Sequence, residues 1–237
     1  MINLAVFWPA VLCCLASLSR DLRAEGRLVD LALVLAVDAS GSVDDREFAL
    51  QLAGIAAGFR DPVVREAIKS GPEGCIAVML LVWADHQSPK DRTGWFTLTL
   101  DDDAEAFARV VETFPRNQNG ATGIGEGIAA ALRSVDSSGF RARREVVDVS
   151  GDGRETAARE YVVLLPQARA MAYALGVTIN GLAITNEDPD ILSYYRDSVR
   201  IGDGSFAISA NDYVDFAEAM RRKLLREIEI RPSISQR

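Results

Sequence analysis

The sequence predicts an α/β domain: a doubly wound, mostly parallel Rossmann-like sheet flanked by helices, with one short antiparallel edge strand. Three observations predict it. A nearly continuous apolar run at 29–37 reads as a strand buried on both faces, as in a parallel sheet, and further strands read at 75–83, 145–149 and 177–184. Between them lie segments of ten or more residues with helical periodicity, long enough for crossover connections. Several of the strands end in short polar loops rich in Asp, Ser and Gly.

Taken in order, the first strand runs over 29–37 and stops at Asp38. Phe48, Leu52, Ile55 and Phe59 then recur at helical spacing, with capping chemistry supplied by 42–45. The second apolar strand covers 75–83, and a β-rich stretch follows at 95–100. Asp101, Asp102 and Asp103 read as the capped start of a helix over 102–113. Another helix begins after Thr122 and includes Ile128 and Leu132. The strand 145–149 leads to a helix near 158–175, the strand 177–184 to a short helix near 189–197, and a last strand at 205–208 to a helix bearing Tyr213, Phe216, Met220 and Leu224 on one face.

Bulk properties bound the partners. The chain of 237 residues is 49% hydrophobic and 25% charged, which supplies a core and excludes wholesale disorder. Its net charge is −8, or −9 without residues 1–24, which carry Arg20, Arg23 and Asp21. Nucleic-acid backbones and anionic membrane surfaces reward clustered cations, so neither is an expected partner. The only basic cluster, Arg221, Arg222, Lys223 and Arg226, reads as cations placed near the end of the last helix.

Residues 4–18 carry no charge, and Leu22-Arg23-Ala24 offers a small residue at a cleavage point, so 1–24 reads as a secretory signal peptide removed near Ala24. A retained anchor is the alternative, although the run is short for a membrane-spanning helix. This organisation leaves 25–230 as the domain and 231–237 as a flexible tail, with a periplasmic or secreted location. Cys13 and Cys14 leave with the signal, and Cys75, opening an apolar strand, reads as a buried structural thiol.

The residues that carry chemistry lie in three loops. Asp38-Ala39-Ser40-Gly41-Ser42 sits at the carboxyl end of the first strand and offers one carboxylate and two hydroxyls, a set suited to a hard cation. The same residues also suit a plain structural role, with Ser42 capping the next helix and Asp38 bonding loop amides. The loop 119–125 adds the hydroxyl of Thr122, and Ser150-Gly151-Asp152-Gly153 adds a second carboxylate. Ligands of doubly wound sheets bind beyond the carboxyl ends of the strands, where these loops converge.

Asp-x-Ser-x-Ser, a distant Thr and a later Asp-Gly together resemble the metal-ion-dependent adhesion site of von Willebrand factor A and integrin inserted domains. The order and spacing are similar in particular to a bacterial family of von Willebrand factor A-like proteins, often secreted and of uncharacterised function, whose third element reads Val-Ser-Gly-Asp-Gly, here 149–153. The resemblance implies that Asp38, Ser40, Ser42, Thr122 and Asp152 hold one divalent ion, Mg2+ with Mn2+ or Ca2+ as alternatives. Ser40, Ser42 and in some states Thr122 coordinate directly, Asp38 and Asp152 directly or through waters. The chain departs from better-known members at Gly151, where many carry Thr beside the aspartate.

The implied function is metal-dependent binding of a protein partner that presents Asp or Glu to the ion, without catalysis. Three neutral hydroxyls with only two carboxylates leave a divalent ion electron-poor enough to attract one more anionic oxygen. The alternative is a metal-assisted hydrolase or phosphatase using Asp38 or Ser40 as nucleophile. It lacks a Gly-x-Ser-x-Gly elbow, and its base would have to be His86, the only histidine. Gly120, Gly123 and Gly125 resemble a phosphate-cradling loop only loosely, since no Gly-Lys-Ser or Gly-Lys-Thr follows. Asp85, His86 and Glu126 fall near the rim, and Trp95, Tyr194 and Tyr195 read as packing aromatics.

Overall fold

A computed structural model describes residues 26–156 and 162–229. The expected signal peptide at 1–24 and tail at 231–237 lie outside the described residues. The main sheet is built from β2 (Leu31–Asp38), β3 (Ile76–Trp83), β7 (Glu145–Gly151), β8 (Thr178–Ile184) and β9 (Ala207–Ala210), all parallel in the order β3-β2-β7-β8-β9. Two short antiparallel segments, β4 (Asp91–Arg92) and β5 (Phe96–Leu98), pair with β3, so the predicted edge strand is split in two. A separate parallel pair joins β1 (Leu28–Val29) to β6 (Arg141–Ala142), which no periodicity announced because each is two residues long.

Every residue of β2 and β3 is buried, which accounts for their unbroken apolar runs. One face of the sheet packs against α1 (Asp45–Arg60), α3 (Asp101–Glu112) and α7 (Phe216–Ile228), where Phe59 meets Phe107 edge to face at 4.9 Å. The other face carries α4 (Ile124–Asp136) and α5 (Leu165–Leu175), whose Ile128, Leu132, Ala168 and Ala172 cover Val147 and Val149. Gly125 of α4 allows that approach, because a Cβ there would stand 2.4 Å from the carbonyl oxygen of Val163.

Several boundaries differ from the sequence reading. The helix placed at 158–175 begins at Leu165, where Pro166 occupies the first turn; residues 158–161 of that span are not described. The segment at 189–197 is a short α6 (Ile191–Tyr194) continuing into a π-helical turn at Tyr195–Val199. An unforeseen helix, α2 (Pro62–Lys69), follows α1 directly; Asp61 caps it by accepting from the backbone N–H groups of Val63 and Val64 at 2.8 and 3.1 Å. Cys75 is buried, as expected of a structural thiol.

Lys223 is the clearest correction. Read from the sequence as one of several cations near the end of the last helix, it is fully buried, with Nζ 2.6 Å from Asp148 Oδ1 of β7 and 2.7 Å from Glu227 Oε1 one turn along α7. Asn180 of β8 donates to the same Glu227 oxygen at 2.8 Å. Arg221, by contrast, stays partly exposed and pairs with Asp61 at 2.7 Å.

Candidate functional site

The register of the central strands sets the site. Val37 of β2 lies opposite Ser150 of β7, so Asp38 and the loop that begins at Gly151 leave the sheet side by side at its carboxyl edge. The loop after β2 is then tied to its neighbours by backbone bonds: Ala39 N–H donates to the Trp83 carbonyl at 2.8 Å, and Gly41 N–H to the Gly120 carbonyl at 2.7 Å. Gly123 N–H donates to the Ala84 carbonyl at 2.9 Å. A Cβ on Gly123 would lie 2.9 Å from both that oxygen and the His86 nitrogen, so only glycine lets the Thr122 loop close on β3.

The carboxylate and hydroxyl groups predicted from the sequence meet there. Ser42 Oγ donates to Asp152 Oδ1 at 2.8 Å across 110 residues of chain, and Ser40 and Ser42 hydroxyls are 3.3 Å apart. Asp38 Oδ1 accepts from the Ser40 backbone N–H at 2.7 Å. Thr122 Oγ1 lies 3.3 Å from the point a Cβ on Gly153, the residue after Asp152, would occupy. Asp38, Ser40, Thr122 and Asp152 are buried and Ser42 is exposed, so the cluster opens outward through Ser42.

The plain capping role for Ser42 does not hold. The cap of α1 is Asp44, which accepts from Glu47 N–H at 2.8 Å while Glu47 accepts from Asp44 N–H at 2.9 Å. Ser42 is thereby free to face Asp152.

Three further residues hold the site, none of them singled out by the sequence pattern. Tyr213 donates its hydroxyl to Asp152 Oδ2 at 2.9 Å, so each oxygen of that carboxylate accepts one hydroxyl. Gln51 donates to the Asp38 carbonyl at 3.0 Å from inside α1. Arg116 donates to the carbonyls of Ser40 at 3.2 Å and of Val43, and pairs with Asp45 at 2.6 Å. Tyr213 looked like one more apolar-face residue of the last helix; its polar tip gives no periodic signature.

Burial, reinforced by repulsion from Asp152, pushes the Asp38 carboxyl up to about 7, against the pull of Ser40 and Arg116. Burial beside Asp152 also raises the Tyr213 hydroxyl, which therefore stays a donor. Asp38 Oδ2 is buried with no hydrogen-bond partner. A carboxyl with a raised folded pKa binds extra protons in the folded state between about 4 and 7, so its contribution to stability is full below that window and is lost as pH rises through it. A cation needs the ionised form. Divalent-ion affinity is therefore expected to rise about tenfold per pH unit up to pH 7 and then level off, as calorimetric titration across pH 5.5–8 would record.

The donor set fits a hard cation. Among the described residues no group of three or more His, Cys, Asp and Glu lies together, so any ion here would rest on two carboxylates and hydroxyls, the oxygen set of Mg2+ or Ca2+. Of the other rim residues, His86 and Glu126 stand apart. His86, buried with Nε2 unpartnered, lines with Lys90, Arg92, Glu126 and Arg133 a separate cavity of about 570 Å³ beside α4. Asp85 accepts from Gln87 N–H at 2.9 Å, and Tyr195 is fully buried against β8.

With this geometry in hand, the fold finds matches among solved structures. The pilus adhesin SpaC of Lactobacillus rhamnosus GG is 13% identical, with a TM-score of 0.59 over 86% of this chain and 31% of that one. The PilB minor pilin of Streptococcus sanguinis is 15% identical, with a TM-score of 0.56 over 86% of this chain and 63% of that one. Proximal thread matrix protein 1 of the mussel byssus, in a structure described as having a zinc-occupied MIDAS motif, is 15% identical, with a TM-score of 0.50 over 86% of this chain and 48% of that one. The chain thus spans between about a third and two thirds of these proteins, and the fold it shares with them is von Willebrand factor A-like. No curated protein matches it in sequence. Residues 28–232 match the family described as "Protein of unknown function (DUF1194)", and the chain belongs to that family.

Proposed function

We propose that this protein is a divalent-metal-dependent binding domain of the adhesion type. Ser40, Ser42 and Thr122 hold an ion, Asp38 and Asp152 hold it directly or through waters, and an acidic side chain of a protein partner completes it. The observation that carries this reading is the Ser42–Asp152 hydrogen bond of 2.8 Å, which brings residues of two distant loops together beside an unpartnered Asp38 oxygen. The likeness of fold to an adhesin, a pilin and a thread matrix protein supports the adhesion class. Magnesium is the proposed ion, because a set rich in neutral hydroxyls leaves it positive enough to attract the partner's Asp or Glu.

The reading takes the chain as non-enzymatic and as acting in the periplasm or outside the cell, after loss of residues 1–24. Among the described residues no helix is long and apolar enough to cross a membrane. The test is Ser40→Ala combined with Ser42→Ala. Neither hydroxyl belongs to the apolar core, so the circular dichroism spectrum stays that of the parent while the calorimetric signal for magnesium or manganese disappears. An unchanged titration rejects the site. Capture of a partner from periplasm or culture medium with magnesium, and its release by chelator, tests the binding role.

A further inference from the structure

Gly151 stands where many proteins with this motif carry Thr, and the structure gives that glycine a physical reason. A Cβ at position 151 would lie 2.7 Å from Asp38 Oδ2 and 2.8 Å from the Tyr195 hydroxyl. Both oxygens therefore border the same small gap. Both are buried, and neither has a hydrogen-bond partner. A second glycine clears the approach, since a Cβ on Gly181 of β8 would meet the Tyr195 ring at 2.7 Å. The ring arrives from the π-helical turn at Tyr195–Val199, a widened turn of the kind often found at functional sites.

We propose that Tyr195 is a positioning residue of the candidate metal site: its hydroxyl, across the gap that Gly151 keeps open, is the donor available to the free oxygen of Asp38, and the two atoms, unbonded in this structure, pair when an ion is held. The inference rests on the metal-binding reading above and adds to it the device that replaces the missing threonine hydroxyl. The chemistry is complementary. Asp38 Oδ1 is occupied by the Ser40 N–H, and Oδ2 faces a phenol that keeps its proton, because burial and the nearby carboxylates disfavour phenolate. With that bond made, the carboxylate would be fixed at both oxygens and present its lone pairs in one orientation, which is what an outer carboxylate must do to hold an ion or its waters. The reciprocal logic already operates at Asp152, whose two oxygens accept Ser42 and Tyr213.

Tyr195→Phe tests this with a readout that simple packing would not move. Magnesium affinity is expected to fall about tenfold, while the midpoint of thermal unfolding without metal stays within about 2 °C of the parent, since the ring and its contacts remain. Gly151→Ala is expected to lose affinity as well and to unfold at lower temperature; adding Tyr195→Phe should recover part of that midpoint, because one of the two clashing atoms is gone. The coupling of the two groups is also measured without metal, by a double-mutant cycle of Asp38→Asn and Tyr195→Phe on thermal unfolding, where non-additive shifts are expected. Unchanged affinity in Tyr195→Phe together with an additive cycle overturns the proposal. A parent that binds no magnesium overturns the metal reading instead, and a non-additive cycle would then still establish the Tyr195–Asp38 coupling.

Discussion

Asp152→Asn should lower magnesium affinity by about 100-fold or more while unfolding within a few degrees of the parent. The two halves of that expectation come from different atoms. Asparagine keeps an oxygen for one of the two hydroxyls that reach position 152, and its amide donates to the oxygen of the other, so the contacts with Ser42 and Tyr213 are preserved in number. What is lost is one of the two negative charges available to an ion, and loss of a ligand should exceed the 10–100-fold effect typical of outer-shell changes. Asp152→Ala should match the affinity loss and add a stability loss. The hydroxyl of Tyr213, a residue only 4% exposed, would have no acceptor, which costs about 1–3 kcal/mol for a buried polar group. Calorimetric titration beside thermal unfolding separates these outcomes. Full affinity in both variants would remove Asp152 from the site.

Lys223→Met should be strongly destabilising, by about 3–5 kcal/mol in urea unfolding, with little effect on metal binding. Lys223 is the only cation within ion-pair distance of the fully buried Asp148 among the described residues, and it also holds buried Glu227. Removing it leaves two carboxylates in the interior with their repulsion unopposed, and burial already pushes Asp148 up to about 7 despite Lys223. Proton uptake then becomes the only relief, so the loss should be larger at pH 8 than at pH 5. Adding Asp148→Asn to Lys223→Met should recover part of the stability by removing one of those charges. A loss below about 1 kcal/mol at pH 8 would mean that the buried triad is not charged as its geometry indicates.

Much of the candidate site was legible in one dimension because its chemistry is local. Asp38, Ser40 and Ser42 fall within five residues at the end of a buried strand, and the rule that parallel sheets bind ligands at that edge drew Thr122 and Asp152 to the same place. The parallel order of the central strands followed from apolar runs separated by helices. Short elements were not legible. β1, β4 and β6 have two residues each, too few for a period to show, and α2 hid behind the end of α1. The start of α5 and the π-helical turn were misplaced because local spacing does not fix where a helix begins.

By itself the sequence determined the sheet and its rim and pointed to the five oxygen-bearing residues as candidates, since strand burial, loop position and ligand type are written in neighbouring residues. Tertiary structure alone decided how those residues are held. Tyr213 meets Asp152 across 61 residues, Tyr195 shares with Asp38 the gap beside Gly151, and Lys223 turns from one cation of a helix-end cluster into the centre of a buried ion triad. The reason is physical. A residue type states which bonds a side chain is able to make, but burial and pairing depend on what the fold brings against it from far along the chain.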